Sequence, residues 1–385
     1  MFSELANCSN TNTTLYWYNV GNKNLFWVLV SIRVLISIAG IAGNTMVIYA
    51  ATRNRKAIFS SFRYLNRVVL SLAFADLFYS LLGQPFDILH WYLSLTGIGP
   101  QLREHKCGSM WIMSIMTFPQ DVCSGASCFH VALILLLRCF CLMKPMSFEK
   151  WHLRLTKISI VGIWIYMISV VLMPTFISIM LTADISKDEY KNYKNAYSIG
   201  WNIVYQATLT LSLGLNIILG MVNIYLLKKQ EKDKERGSTF STNPDIVVSG
   251  ASANSVLHTQ GTNSRASRKK ALEKMIKMVT IGTIICYTPN IIFRSYLMHM
   301  VQQSTSGNAY DGTGKVLFAF FARIGVQMGS IINPFIYATT IPQFKKLAKR
   351  YLRSSFRMKT VETRSGPTAI LKAPDVSSFN SKSAY

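Results

Sequence analysis

A few ionisable side chains stand inside stretches that otherwise carry almost no charge: Arg33, Asp76, Asp87, His90, Asp121, Arg138, Arg294 and Arg323. A charge held away from water must be paired, hydrogen-bonded or neutralised, so each of these positions is costly and a candidate for function. The chemistry open to them is ion pairing and anion capture. A guanidinium is permanently charged and grips carboxylate or phosphate in a fixed fork, and Asp87 and Asp121 are the acids that compete with a ligand for it. Covalent chemistry has no such footing. The chain shows no metal-ligand cluster, no glycine-rich phosphate loop and no nucleophile–base pair, so an enzyme is not expected. Cys123, Cys128 and Cys286 read as core packing.

The elements that carry these residues are read from composition. Half of the 385 residues are hydrophobic and 15% are charged, with a mean hydropathy of +0.26; a soluble protein has about a quarter charged. The net charge of +24 would suit nucleic acid, but a nucleic-acid binder does not carry long uncharged apolar runs. Seven runs, at 24–52, 68–102, 107–143, 158–183, 195–227, 278–310 and 316–344, are each long enough to cross a bilayer, which takes about 20 apolar residues. Most of the 41 Lys and Arg lie in 51–63, 144–157, 228–277 and 341–385. The positive-inside rule makes those segments cytoplasmic, with attraction to anionic membrane lipids, and puts the N-terminus outside. The expected fold is therefore an all-α membrane protein: a seven-helix bundle over 25–341, an extracellular N-terminus 1–24 without a cleavable signal, a disordered cytoplasmic loop at about 229–270, an amphipathic membrane-surface helix at 342–356 and a disordered tail at 357–385. Asn7 and Asn12 begin glycosylation triplets on the side the charge rule calls external.

Depth along the spans then groups the polar residues. Arg33, Asp87, His90, Gln120, Asp121, Arg294 and Arg323 fall near the extracellular mouth, and Asp76, Ser127, Ser330 and Asn333 at mid-depth. Arg138 stands near the cytoplasm. Asp76 and Asp87 are eleven residues apart, which is three α-helical turns and one face. Gln120 shares a face with Arg138, and Asp121 is rotated by about 100°. Two readings of the mouth stand side by side: the acids and arginines pair with each other across the bundle, or the arginines attract an anionic or zwitterionic ligand. Three arginines against two aspartates favour the second.

With these landmarks the chain resembles a rhodopsin-like (class A) G-protein-coupled receptor over roughly residues 25–356. The resemblance rests on Gly43-Asn44, Leu72-Ala73-Phe74-Ala75-Asp76, Arg138 with Pro145, Trp164 with Pro174, Tyr225, Cys286-Tyr287-Thr288-Pro289, and Asn333-Pro334-Phe335-Ile336-Tyr337 followed by Phe344. It implies a multi-pass plasma-membrane receptor that binds an extracellular small molecule or short peptide in the upper bundle and activates a heterotrimeric G protein, with arrestin and receptor kinases as further partners. It implies a sodium site at Asp76, Ser127, Ser330 and Asn333, and no other cofactor. It implies activation roles for Arg138, Tyr225, Tyr287, Pro289, Asn333, Pro334 and Tyr337. Retinal is not expected, because Gln327 stands where light receptors of the family carry lysine.

The departures from the family pattern are specific. Leu137 replaces the acid before Arg138, Cys139 the following tyrosine, Ile217 the fifth-span proline, Tyr287 the sixth-span tryptophan, and Lys269 an acid at the foot of the sixth span. The loop that carries the second cysteine of the family disulfide has none here, which leaves Cys8 as the external candidate partner of Cys107. These departures allow the alternative of a receptor-like chain that does not signal. A transporter is the other alternative, but no internal repeat or continuous charged pathway is visible.

Overall fold

The computed structural model describes residues 23–53, 63–95, 109–182, 187–239, 255–303, 313–340 and 344–345. Asn7, Asn12, Cys8, Cys107 and the tail lie outside the described residues, as does the membrane-surface helix apart from Phe344 and Lys345. The described elements are helical: α1 (Lys23–Arg53), α2 (Arg63–Phe78), a π turn (Tyr79–Gly83), α3 (Gln84–Leu95), α4 (Ser109–Met143), α5 (Pro145–Thr182), α6 (Lys187–Thr239), α7 (Ser255–Gln303) and α8 (Thr313–Thr340). Among the described residues six stretches are long and apolar enough to cross a membrane: Phe26–Arg53, Leu65–His90, Met116–Met143, Lys150–Met173, Ile203–Asp233 and Glu273–Tyr296. α8 occupies the part of the chain in which the sequence places the seventh span.

In water, burial of apolar surface would sort these helices. In lipid it does not, because acyl chains are as apolar as leucine, and packing and interhelical hydrogen bonds decide instead. The structure follows that logic. Leu35, Ile285 and Ile165 face outward, 66%, 65% and 60% exposed, while Asn44, Asp76, Ser80, Gln84, His130, Asn216 and Gln327 are all buried. α4 is the hub. Its most apolar stretch is 67% buried, against 17% for that of α5, and it packs against α2, α3, α5 and α6. The core at the Arg138 end gathers Val47, Leu72, Ile134, Leu137, Met275, Ile336, Tyr337 and Phe344.

Polar ties join α4 to its neighbours. Asn216 Nδ2 of α6 donates to the Cys128 carbonyl at 3.1 Å, and Asn223 Nδ2, seven residues on, donates to the Leu135 carbonyl at 3.0 Å. Each amide also donates back to a carbonyl of its own helix, Ser212 and Leu219. The ladder runs on either side of Ile217, and α6 continues through it as one α-helix. Each such bond contributes about 0.6 kcal/mol in a membrane. On the α5 side, Trp164 Nε1 donates to Ser71 Oγ at 3.0 Å, and Ser71 Oγ lies 2.8 Å from His130 Nε2. His130 Nδ1 meets the Ala126 carbonyl at 2.6 Å. A carbonyl only accepts, so Nδ1 carries the proton and the Ser71 hydroxyl donates to Nε2.

Two features depart from the sequence reading. The π turn closes with the Gln84 N–H on the Tyr79 carbonyl, the i→i+5 pattern, and Ser37 Oγ of α1 takes up the Ser80 carbonyl at 2.5 Å. This turn rotates α3 against α2 by about one residue, roughly 100°, so Asp76 and Asp87 do not share a face and serve different partners. The second departure lies at the cytoplasmic segment. α6 runs to Thr239 and α7 starts at Ser255, well inside the stretch 229–270 read as disordered. The average composition there hides a run, Lys228-Lys229-Gln230-Glu231-Lys232-Asp233-Lys234-Glu235-Arg236, rich in helix formers with opposite charges three apart.

Close approach between α7 and α8 depends on Gly325, where a Cβ would lie 2.7 Å from the Cys286 carbonyl oxygen, a backbone atom; at Gly162 a Cβ would meet nothing within 4 Å. Gly325→Ala should therefore destabilise the purified protein by about 1–3 kcal/mol, the usual cost of overpacking. Gly162→Ala should stabilise it by about 0.5–1 kcal/mol, the helix-interior difference between the two residues. Thermal unfolding of both variants checks the pair; equal shifts would contradict the contact.

Candidate functional site

The mouth residues converge into one charged cluster with two arms. In the first, Arg33 of α1, 1% exposed, ion-pairs with Asp87 of α3. Arg323 of α8 reaches the other oxygen of the same carboxylate, Nη1 to Oδ1 2.6 Å. Gln327, one turn along α8, turns its amide oxygen to Arg33 and accepts from Nε at 2.7 Å. One carboxylate thus binds three helices together, and two guanidiniums share it. The Arg33 and Asp87 side chains are 1% and 2% exposed, whereas that of Arg323 is 24% exposed.

In the second arm Arg294 of α7 pairs with Asp121 of α4, Nη2 to Oδ1 3.1 Å. The guanidinium lies over the Tyr205 ring, 4.5 Å from its centroid, a cation–π contact that adds about 0.5–2 kcal/mol. The Tyr205 hydroxyl donates to the Asp121 carbonyl at 3.2 Å and lies 3.0 Å from Ser124 Oγ. The Tyr287 hydroxyl donates to the Ser124 carbonyl at 2.9 Å, which ties α7 to α4 where the family has tryptophan. Gln206 Nε2 joins α6 to α7 through the Ile291 carbonyl and Ser295 Oγ, at 2.9 and 3.1 Å.

Of the residues singled out from sequence, Arg33, Asp87, Asp121, Arg294 and Arg323 meet in this cluster. His90 is half-buried beside it and acts electrostatically on Asp87. Gln120 is half-buried, and its backbone lines the closest approach of α4 to the π turn: a Cβ on Gly83 would lie 3.0 Å from the Gln120 Cα. The pairing reading of the mouth is thus realised within each arm. Tyr79, Gln84, Tyr205 and Gln327 were not singled out for the mouth. A glutamine inside an apolar run just before Pro85 was a readable signal for Gln84. Nothing in the spacing marked Tyr79.

At mid-depth Asn333 Nδ2 donates to Asp76 Oδ2 at 2.8 Å, and the Ser127 hydroxyl lies beside the same carboxylate. Ser330 does not reach it directly. Its hydroxyl donates to the Gln327 carbonyl at 2.8 Å and receives one from Ser80 at 3.2 Å; Ser80 also contacts the Asp76 carbonyl at 2.8 Å. Asn44 Nδ2 closes the group through the Ser330 carbonyl at 2.8 Å. A carboxylate among serine hydroxyls is a hard oxygen-donor set that fits a small cation such as sodium. Toward the other end Arg138 and Tyr337 are buried, while Tyr225 is 65% exposed on the outward face of α6. Leu137 is fully buried in the apolar core. Pro289 and Pro334 lie inside α7 and α8.

Membrane-length helices with apolar outer faces around a charged and amide-rich interior define a multi-pass helical-bundle protein. Residues 43–337 match the family of the 7 transmembrane receptor (rhodopsin family), and the chain belongs to that family: it is a transmembrane signal-transduction receptor of the G-protein-coupled type. Members of the family are receptors, not enzymes. No curated protein matches the chain.

The first arm is directly testable. Asp87→Asn leaves two guanidiniums facing a neutral amide, and stripping one partner from a buried pair costs about 3–5 kcal/mol. Thermal stability of the purified receptor and its surface level should both fall. Adding Arg33→Met removes one stranded charge and should recover part of the loss. A D87N receptor as stable as the wild type would refute the shared carboxylate.

Proposed function

We propose that the receptor binds an anionic or zwitterionic small molecule or short peptide, presented from outside, at the cluster of Arg323 and Arg294, and that binding activates a heterotrimeric G protein through Arg138. The observation that carries this reading is the first arm: two guanidiniums, Arg33 and Arg323, converge at the mouth on one carboxylate, and Arg323 is the more exposed of the two. Asp121 offsets Arg294 one to one, so the second arm reads as a wall of the site with Tyr205 behind it. The plasma membrane is the expected location, with arrestin and receptor kinases as further partners and glycans on Asn7 and Asn12. Cys107 is proposed to pair with Cys8. Asp76, Ser127, Ser330 and Asn333 are proposed to take up sodium, with Ser80 as an added oxygen donor. Sodium there would supply positive charge to Asp76, while Asn333 holds one carboxylate oxygen in place. Tyr225, Tyr287, Pro289, Pro334 and Tyr337 complete the activation set.

An agonist found by screening anionic, zwitterionic and amine compounds in a G-protein activation assay provides the test. Arg323→Ala should weaken it by about 2–5 kcal/mol, the cost of truncating one partner of a buried charge pair. Arg294→Ala, which disturbs a balanced pair, should cost less. Unchanged potency in both variants would end the anion reading and turn attention to Asp121 as an amine anchor.

The cytoplasmic end gives a separate expectation. Leu137 and Lys269 cannot accept from Arg138, where a charge-assisted bond is worth about 1.5–3 kcal/mol. Its loss shifts a two-state balance toward the active form by roughly ten- to a hundredfold. Basal nucleotide exchange, normalised to surface receptor, should therefore exceed that of receptor-free membranes and should fall in Leu137→Asp. Because Leu137 is packed in the core, Lys269→Glu serves as the second variant. Basal exchange at background, or no fall in either variant, would contradict the argument.

A further inference from the structure

The first two turns of α5 carry a patch that neither the ligand reading nor the coupling reading uses. Lys150, Arg154 and Lys157 are exposed, and at 100° per residue they fall within about 60° of one another on the helix. Among the described residues none of the three has an ion-pair partner, and no acid stands three or four residues from any of them in the sequence. Like charges at this spacing destabilise a helix, so the stripe is costly until an anion covers it. The same line of the helix continues as Val161, Ile165, Ile168 and Leu172, all exposed, while the fully buried Thr156 and Met167 face the bundle. The basic stripe therefore runs straight into an apolar face that the bundle does not cover. Trp151, 62% exposed, flanks Lys150 and Arg154. An exposed tryptophan beside cations at the end of a span is the pattern of the membrane interface.

We propose that Lys150, Trp151, Arg154 and Lys157 bind one anionic phospholipid of the cytoplasmic leaflet, and that its headgroup is a phosphorylated inositol. The charge rule puts this end of α5 on the cytoplasmic side. Lipid is favoured over an acidic protein segment because the stripe is continuous with the bilayer-facing side of α5: acyl chains lie along Val161 and Ile165 while the headgroup meets the cations. Depth selects the headgroup. Lys150 and Lys157 are seven residues, about 10 Å, apart along the axis, whereas the polar layer of one leaflet is about 5–7 Å thick. Phosphatidylserine holds its net charge within that layer and reaches part of the stripe. A phosphoinositide carries one phosphate at the glycerol and others across the ring, farther from the bilayer, so its charges extend from Lys157 to Lys150.

Purified full-length receptor in detergent is titrated with fluorescent dioctanoyl phosphatidylinositol bisphosphate, with dioctanoyl phosphatidylserine and free inositol trisphosphate as competitors. Each cation engaged near a lipid headgroup adds about a fivefold gain in affinity. The inositol lipid should therefore bind at least about fivefold more tightly than phosphatidylserine. Arg154→Gln should weaken it about fivefold, and Lys150→Gln, Arg154→Gln and Lys157→Gln together about a hundredfold. Trp151→Ala should weaken it too. Lys228→Gln, Lys229→Gln and Lys232→Gln together remove the same charge from α6 and should leave the affinity unchanged. The lipid-free melting temperature of each variant is the folding control; if the α5 triple variant lowers it, Arg154→Gln alone decides. Equal loss in the two triple variants assigns the effect to overall charge and overturns the proposal, as does phosphatidylserine binding as tightly as the inositol lipid. Free inositol trisphosphate competing as well as the lipid makes this a soluble-phosphate site and overturns the lipid assignment. An α5 triple variant that keeps its lipid affinity but activates G protein less gives this face to the G protein instead.

Discussion

A single carboxylate, Asp87, organises the upper half of the molecule. In a bilayer interior an ion without a partner is expensive, and Asp87 has to satisfy Arg33 from α1 and Arg323 from α8 together. That requirement positions three helices at once. Arg33 adds the Gln327 amide, so α8 is gripped at two successive turns. Asp121 makes a similar demand on α4 and α7, with the Tyr205 ring from α6 closing the set. The helices need no hydrophobic drive to assemble here, since lipid would solvate their leucines equally well. Unbalanced charge has no such alternative, and so it dictates which faces turn inward.

The geometry below follows from the same constraint in milder form. Among the described residues Asp76 has no arginine; the Asn333 amide holds its carboxylate with the Ser127 hydroxyl nearby, and the Ser80 hydroxyl meets its backbone carbonyl. Buried polar networks are stable only when nearly every member is satisfied. Asn44 and Ser330 belong to the group for that reason, and Gly40 must be small because a Cβ there would sit 2.4 Å from the Ser80 hydroxyl. At the Arg138 end the logic changes to packing, with Leu137 and Tyr337 in a common apolar core.

Much of the architecture was legible because membranes allow so few solutions: long uncharged runs are spans, and the basic residues between them give a direction. The cast of charged residues was legible for the same reason, since a charge inside a span is conspicuous. Their partnerships were not. The α-helical period put Asp76 and Asp87 on one face, and a π turn, which no pattern of five apolar and small residues announces, sent them to different neighbours. Tyr79 and Tyr205 were silent because an aromatic ring in a span is ordinary in composition and becomes informative only beside a guanidinium. The helical extensions of α6 and α7 were missed because polar composition was read as an average, whereas the order of Lys and Glu decides helicity.

The asparagines of α6 carry one further implication. Asn216 and Asn223 meet carbonyls of α4 that are themselves seven residues apart, so the two helices engage like a rack with matched teeth. A slide of α6 along α4 by less than a helical turn, about 5.4 Å, would strip both amides of their acceptors at once. Translation is therefore quantised in whole turns, whereas a small rolling motion about the line of teeth keeps both contacts. Any signal that passes down this seam travels as a twist and not as a piston stroke.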